Sequence, residues 1–157
     1  MDATPESLRI AYLQTVVTVD GRPAAEAVHD LGPFWVLTAW NPGSERLSDA
    51  ENAERHAALC ARLDELGHNW LPALGTSPDG SWSEQSVAVP GLDRDTALAL
   101  GREFAQEAVF EATAEALRVH GCDGDWRVER RHGRSAHPTP DELVEHRNSE
   151  GDDPVSG

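Results

Sequence analysis

Asn41, Asn52, Glu84, Ser86 and Gln106 are polar residues placed where the sequence passes from one predicted element to the next. Asn41 ends an apolar run, Asn52 lies near the start of a predicted helix, Glu84 and Ser86 alternate along a predicted strand, and Gln106 closes a second helix. Strand and helix ends leave backbone donors and acceptors free, and ligand sites gather there. Amides read a ligand's hydrogen-bond pattern, and a carboxylate accepts protons or binds a cation. With His56, one helical turn beyond Asn52, these residues make a candidate ligand-binding set. The alternative is that the amides satisfy backbone groups at turns and caps. No catalytic residue is assigned. Glu84 is the one candidate, because a carboxylate desolvated beside Trp82 takes on the raised pKa of a general acid. Its bland alternative is a solvent-facing carboxylate or one paired with an Arg such as Arg102.

Other chemistries find less support. His56-x-x-x-Cys60 and His120-x-Cys122 each put two soft ligands on one face, and four such ligands would suit Zn²⁺. No CxxC or HExxH pattern accompanies them, so buried thiols are the expectation, with no metal and no cofactor. The chain has no Lys, which rules out Schiff-base and Walker-type Lys chemistry. Gly43 and Gly75 read as turn glycines, and no GxGxxG or GxxxxGK[ST] motif offers a phosphate cradle. Trp35, Trp40, Trp70 and Trp82 suit core packing better than base stacking.

The formal net charge of −15 repels phosphate backbones and anionic membrane surfaces, so neither nucleic acid nor a membrane is expected as partner. No apolar run approaches a membrane span. Met1 to Glu6 lacks the apolar core of a signal peptide, and two cysteines make no disulfide framework. A cytoplasmic protein with reduced thiols is the expectation.

The elements that must position the polar set follow from pattern. Thr15 to Val19 is β-branched and strand-like, while Leu8 to Leu13 reads as a short helix or a strand extension. Asp20-Gly21 is a turn, and the Ala-rich Pro23 to Gly32 is expected as a loop. Phe34 to Trp40 predicts a central strand covered on both faces. Ser48, with Glu51 three residues on, predicts a capping box opening a helix that stops at Gly67. Leu59, Leu63 and Leu66 form its apolar stripe, which continues backward as His56 and Asn52. Asn69 to Leu74 and Trp82 to Val89 predict a strand pair. Asp93 caps a helix over about Arg94 to Gln106. Val109 to Thr113 and Leu117 to His120 read as a final hairpin, with helix left open as an alternative.

From Asp123 the composition turns to Gly, Asp, Glu, Arg, Pro and Ser. The expected organisation is one domain over residues 1–122 and a disordered acidic tail over 123–157. The order predicts an α+β fold of two layers, a ferredoxin-like β-α-β-β-α-β core with a mixed or antiparallel sheet and both helices on one face. Asn41, Asn52, Glu84 and Gln106 are expected to converge in one pocket. That requires Trp82, Glu84 and Ser86 to face the helices, leaving Val87 and Val89 facing away.

Several linked motifs resemble a known family. Thr38-Ala39-Trp40-Asn41-Pro42, then Asn52, Gly75, Trp82-Ser83-Glu84-Gln85-Ser86, Ala97, and Phe104-Ala105-Gln106-Glu107-Ala108-Val109-Phe110 occur in compact order. Over about Tyr12 to Cys122 the chain resembles the bacterial domain-of-unknown-function family 3293. Glu107 departs from the pattern, where an Asn-like residue is expected. The resemblance implies a boundary and a motif list and supplies no mechanism. The residues themselves point to a binding or regulatory module whose partner is a protein or a small polar ligand. The alternative is a small-molecule enzyme using an Asn/Glu/Gln pocket.

Overall fold

Phe34–Leu37 (β3) is buried along its whole length, and that burial organises the molecule. Side chains of a strand alternate between faces, so a wholly buried strand needs cover on both. A computed structural model describes residues 6–123, 126–132 and 144–147. In chain order the elements are α1 (Glu6–Leu13), β1 (Val16–Val19), β2 (Arg22–Pro23), α2 (Ala24–Leu31), β3, a 3-10 turn (Pro42–Ser44) and α3 (Asp49–Leu66). They continue with β4 (Leu71–Thr76), β5 (Ser83–Pro90), α4 (Arg94–Glu103), β6 (Ala108–Ala112), β7 (Ala116–Gly121), β8 (Trp126–Arg131) and β9 (Val144–Arg147). The strands form one sheet in the order β2-β1-β4-β5-β3-β6-β7-β8-β9. Each pairing is antiparallel, so the fold is α+β on an antiparallel sheet.

The two faces carry different cores. Trp35 and Leu37 pack with Val87, Val89 and Val109 under α3 (Leu59, Leu63) and α4 (Ala97, Leu98, Leu100). Phe34 and Val36 point the other way, to Ala88, Ala112 and Leu117, and are covered by Ala27 and Val28 of α2. Farther along that second face, Leu13 of α1 packs with Ala108, Val119, Trp126 and Val128.

The expected pair of layers is therefore corrected: α3 and α4 share one face as predicted, and α1 and α2 cover the other. The stretch expected as a loop, Pro23 to Gly32, contains α2. Its first turn has no side-chain cap, because Pro23 stands where Ser, Thr, Asp or Asn would announce a helix. The central strand is shorter than predicted, since Thr38 leaves the ladder and donates its hydroxyl to the Gln85 carbonyl (2.8 Å). α4 ends before the expected Gln106, where Ala105 takes a left-handed φ of 60°. Leu66 is exposed and drops out of the α3 stripe.

The boundary at residue 122 is also corrected. Trp126–Arg131 is β8, paired with β7 from Ala116↔Arg131 to His120↔Arg127, and Trp126 is 2% exposed. Gly121 makes room for it: a Cβ there would lie 2.5 Å from the indole Nε1. The rest of the expected tail, apart from β9, lies outside the described residues. On the α3/α4 side of β6 to β8, beyond the helices, the sheet carries charge. Arg118 bridges to Glu129 (3.0 Å), and His120 pairs with Glu111 (2.9 Å) while its ring packs on Trp35. Among the described residues no helix is long and apolar enough to cross a membrane.

Two outcomes follow from these contacts. Trp126→Ala should cost about 3–5 kcal/mol in chemical denaturation, and a chain ending at Asp123 should lose cooperative unfolding. Unchanged unfolding of the shortened chain would return β8 to the tail. The capping box forms as predicted, with the Ser48 Oγ accepting from the Glu51 N–H (3.1 Å) and the Glu51 carboxylate accepting from the Ser48 N–H (3.1 Å). Ser48→Ala should lower stability by about 1 kcal/mol.

Candidate functional site

Where β3 stops, Asn41 turns the chain with φ 47° and ψ 63°. Asn tolerates this left-handed conformation better than most residues with a Cβ, because its short polar side chain bonds locally. The Asn41 amide then holds three segments together. Its Oδ1 accepts from the Leu47 N–H (2.9 Å) and from Asn52 Nδ2 (3.0 Å), and its Nδ2 donates to Glu84 Oε2 (2.9 Å). Its backbone N–H donates to Asn52 Oδ1 (2.9 Å). Asn52, 1% exposed, is thus the polar continuation of the α3 stripe, and its partner is the turn at the end of the central strand.

A second turn docks against the first. The left-handed Ala105 presents its carbonyl to the Gly43 N–H (2.7 Å). Gln106 Nε2 donates to the carbonyls of Trp40 (3.0 Å) and Phe104 (3.3 Å). The Arg55 guanidinium, reaching from α3, donates to the carbonyls of Ala39 and Phe104. Loops that would otherwise be mobile are tied to the helix and to each other.

The two turns border a cavity of about 460 Å³. Asn41, Glu84 and Gln106 stand on its wall, with Thr38 beside them. The end of α1 contributes Tyr12, Gln14 and Thr15, the β4–β5 turn contributes Ser77, Pro78 and Trp82, and β6 contributes Ala108 and Phe110. Arg46 adds an exposed guanidinium. Two of the lining rings are held by aromatic contacts: Tyr12 meets Phe110 edge-on at 6.3 Å and stacks on Trp126 at 6.4 Å.

Glu84 is the one carboxylate on this wall. Burial raises its pKa above the usual carboxylate value, and the Asn41 hydrogen bond opposes that rise without cancelling it. No cation is paired with it among the described residues, and its second oxygen has no protein partner there.

Of the four residues expected to converge, Asn41, Glu84 and Gln106 share the cavity wall and Asn52 does not. Glu84 and Ser86 lie on the α1/α2 side of the sheet, because Val87 and Val89 of the same strand pack under α3 and α4. Asn41 and Glu84 still meet, since Asn41 lies beyond the end of its strand and reaches round the sheet. Asn52 stands directly behind Asn41 and off the wall. Ser86 is also off the wall, buried, with its hydroxyl donated to the Glu84 carbonyl (3.1 Å). His56 belongs elsewhere: its Nε2 lies 3.5 Å from Cys60 Sγ on α3, and burial lowers its pKa. His120 and Cys122 do not join them. Cys122 packs against Gly101 of α4, and burial pushes its thiol up to about 12. Among the described residues no group of three or more His, Cys, Asp or Glu is placed to hold a metal ion.

Sequence reasoning missed Tyr12, Phe110 and Arg46. Trp82 was assigned to core packing. For Tyr12 and Phe110 the only available signal was the aromatic side chain itself, because nothing in the local pattern says that α1 packs on β7 and β8 and so borders the same cavity as the β4–β5 turn.

Residues 37–109 match the model of a family described as a protein of unknown function, DUF3293, so the resemblance drawn from the motifs holds over that stretch. The match is narrower than Tyr12 to Cys122. It contains Asn41, Asn52, Glu84 and Gln106, and leaves the α1 part of the wall outside. No curated protein and no solved structure matches the chain.

Asn52→Ala leaves the Asn41 N–H without its buried acceptor and should cost about 1–3 kcal/mol, read by denaturant titration. Glu84 gives a test with a definite sign. A carboxyl whose folded pKa is raised contributes stability that is present below its unfolded pKa and lost as pH rises through the folded pKa. Glu84→Gln should therefore raise the melting midpoint at pH 7, and the gain should shrink to nothing as pH falls below about 4.3. A pH-independent difference would mean that Glu84 is not desolvated.

Proposed function

We propose, taking as premise that residues 37–109 belong to this family of unknown function, that the chain is a small-molecule binding module whose recognition group is the Asn41–Glu84 pair. The observation that carries this reading is the meeting of Asn41, Glu84 and Gln106 on one wall of a cavity of about 460 Å³. That volume lies within the range of small-ligand sites, and so does the composition, a largely apolar lining with a few polar groups held in place. Asn52 holds Asn41, and Asn41 holds Glu84, so the polar groups are oriented before any ligand arrives. The net charge of −15 favours a small ligand over nucleic acid or an anionic membrane.

The architecture fits this reading. The run β3-α3-β4-β5-α4-β6 with strand order β4-β5-β3-β6 supports a ferredoxin-like core. On that view α1, α2 and the outer strands are additions, and α1 supplies the lid side of the cavity. A second reading, an enzyme with Glu84 as general acid, is favoured by the raised pKa of that residue in a cavity.

The test is native mass spectrometry of the full chain purified gently from its own cells, beside Glu84→Gln prepared identically. A small molecule retained by the natural chain and reduced in the variant supports the module, and a chemically altered molecule after incubation supports the enzyme. A ligand retained equally by both would overturn the role of Glu84.

A further inference from the structure

Building on the cavity reading above, the hydrogen-bond accounting of its wall fixes what a ligand must bring. The Asn41 Oδ1 is filled by Leu47 N–H and Asn52 Nδ2, and its Nδ2 already donates to Glu84. Thr38 Oγ1 donates to the Gln85 carbonyl and accepts from the Trp40 N–H. Ser77 Oγ is occupied within its own turn by Asp79 and Trp82. Gln106 has committed its Nε2 to two carbonyls, which leaves its Oε1 as the free end. Glu84 keeps one carboxylate oxygen without a protein partner among the described residues. So the Asn41–Glu84–Gln106 part of the lining offers two acceptors, a Glu84 oxygen and Gln106 Oε1, and keeps its amide donors committed, while the Trp82 indole, Gln14 and the Arg46 guanidinium are donors elsewhere on the lining.

The aromatic part of the lining adds a preference of its own. Tyr12, Trp82 and Phe110 present aromatic surface to the same space. Ring faces attract cations, and the attraction grows where water is thinned out. The Tyr12–Phe110 and Tyr12–Trp126 contacts keep two of those rings from rearranging around an unsuitable guest.

We propose that the cavity takes an organic cation, a primary amine or amidine on a flat apolar body, with the charged nitrogen donating to Glu84 and Gln106 and the body lying among Tyr12, Trp82 and Phe110. Such a ligand supplies the positive charge that the half-buried carboxylate lacks. It also fills acceptors that no protein donor reaches. A cationic group beside Glu84 would oppose the burial that raises its pKa and return the carboxylate to its ionised form. Arg46, exposed, is free to meet an anionic substituent at the other end of such a molecule.

Three probes of one shape separate charge from shape: 2-phenylethylamine, 2-phenylethanol and phenylacetate. Each is titrated into the ¹⁵N-labelled full chain, followed through the Trp82 indole N–H and the backbone signals of Asn41, Gln106 and Phe110. The amine should bind tightest, at least about tenfold over the alcohol, as a charge-assisted hydrogen bond requires. Glu84→Gln should remove that advantage while the alcohol binds as before. Amine binding should also weaken as pH falls through the Glu84 titration. If the alcohol or phenylacetate binds as well as the amine, or Glu84→Gln leaves amine affinity unchanged, the cation inference falls and the cavity reading stands. If none of the three moves these signals, both fall.

Discussion

One buried amide holds this molecule's chemistry in place. Asn41, four residues past the end of the central strand, sits in a left-handed turn and uses its side chain to join the 41–47 loop, the first turns of α3 and the carboxylate of β5. Each bond is made in a partly dry setting, where a lost partner costs more than a made bond returns. The network is therefore close to all-or-none. With Asn52 in place, the Asn41 backbone and side chain are both satisfied, and Glu84 is fixed at 2.9 Å. Without it, a buried N–H is orphaned at the end of the central strand.

This arrangement explains how residues from opposite sides of a sheet make one site. Strand alternation puts Glu84 on the α1/α2 face and the α3 stripe on the other. A residue inside β3 would be bound to one face. Asn41, past the end of the ladder, is not, and the left-handed turn gives it freedom to serve both. The cavity forms at the sheet end, where α1 and the β4–β5 turn leave space that the apolar cores do not fill.

The sequence was most legible where the chemistry is local. The capping box at Ser48, the stop at Gly67 and the cap at Asp93 depend on residues within one turn, and all three form. The continuous apolar run of β3 correctly implied cover on both faces. The polar break in the α3 stripe correctly implied a buried partner for Asn52. What failed was non-local. α2 starts at a proline with no capping side chain, and although Ala24, Ala27, Val28 and Leu31 keep a helical spacing, the run is only eight residues long and its apolar stripe is half alanine, which signals little until the sheet buries Ala27 and Val28. β8 was hidden for a related reason. Its inward residues, Trp126 and Val128, alternate with Arg127 and Glu129, which face a part of the sheet that α3 and α4 leave uncovered. Two apolar residues among charges read as tail, although in the sheet they are a half-buried strand. The aromatic wall was equally out of reach, since no pattern in Glu6–Leu13 says which strands it will cover.

The costs in this fold are concentrated. Among the described residues three non-glycine positions have positive φ, and two of them, Asn41 and Ala105, belong to the paired turns at the cavity. Glu84, desolvated and without a cation, is on the same wall. Strained backbone and an uncompensated carboxylate persist only where surrounding contacts over-determine them. Here those contacts are visible: Gly43 N–H to the Ala105 carbonyl, Arg55 to the carbonyls of Ala39 and Phe104, and Asn52 to Asn41. A fold under selection for stability alone has a cheaper solution at each point, glycine at 105 and a neutral amide at 84. The coincidence of strain, a half-buried carboxylate and open volume at one end of the sheet is what a preorganised recognition site requires, and neither core shows it.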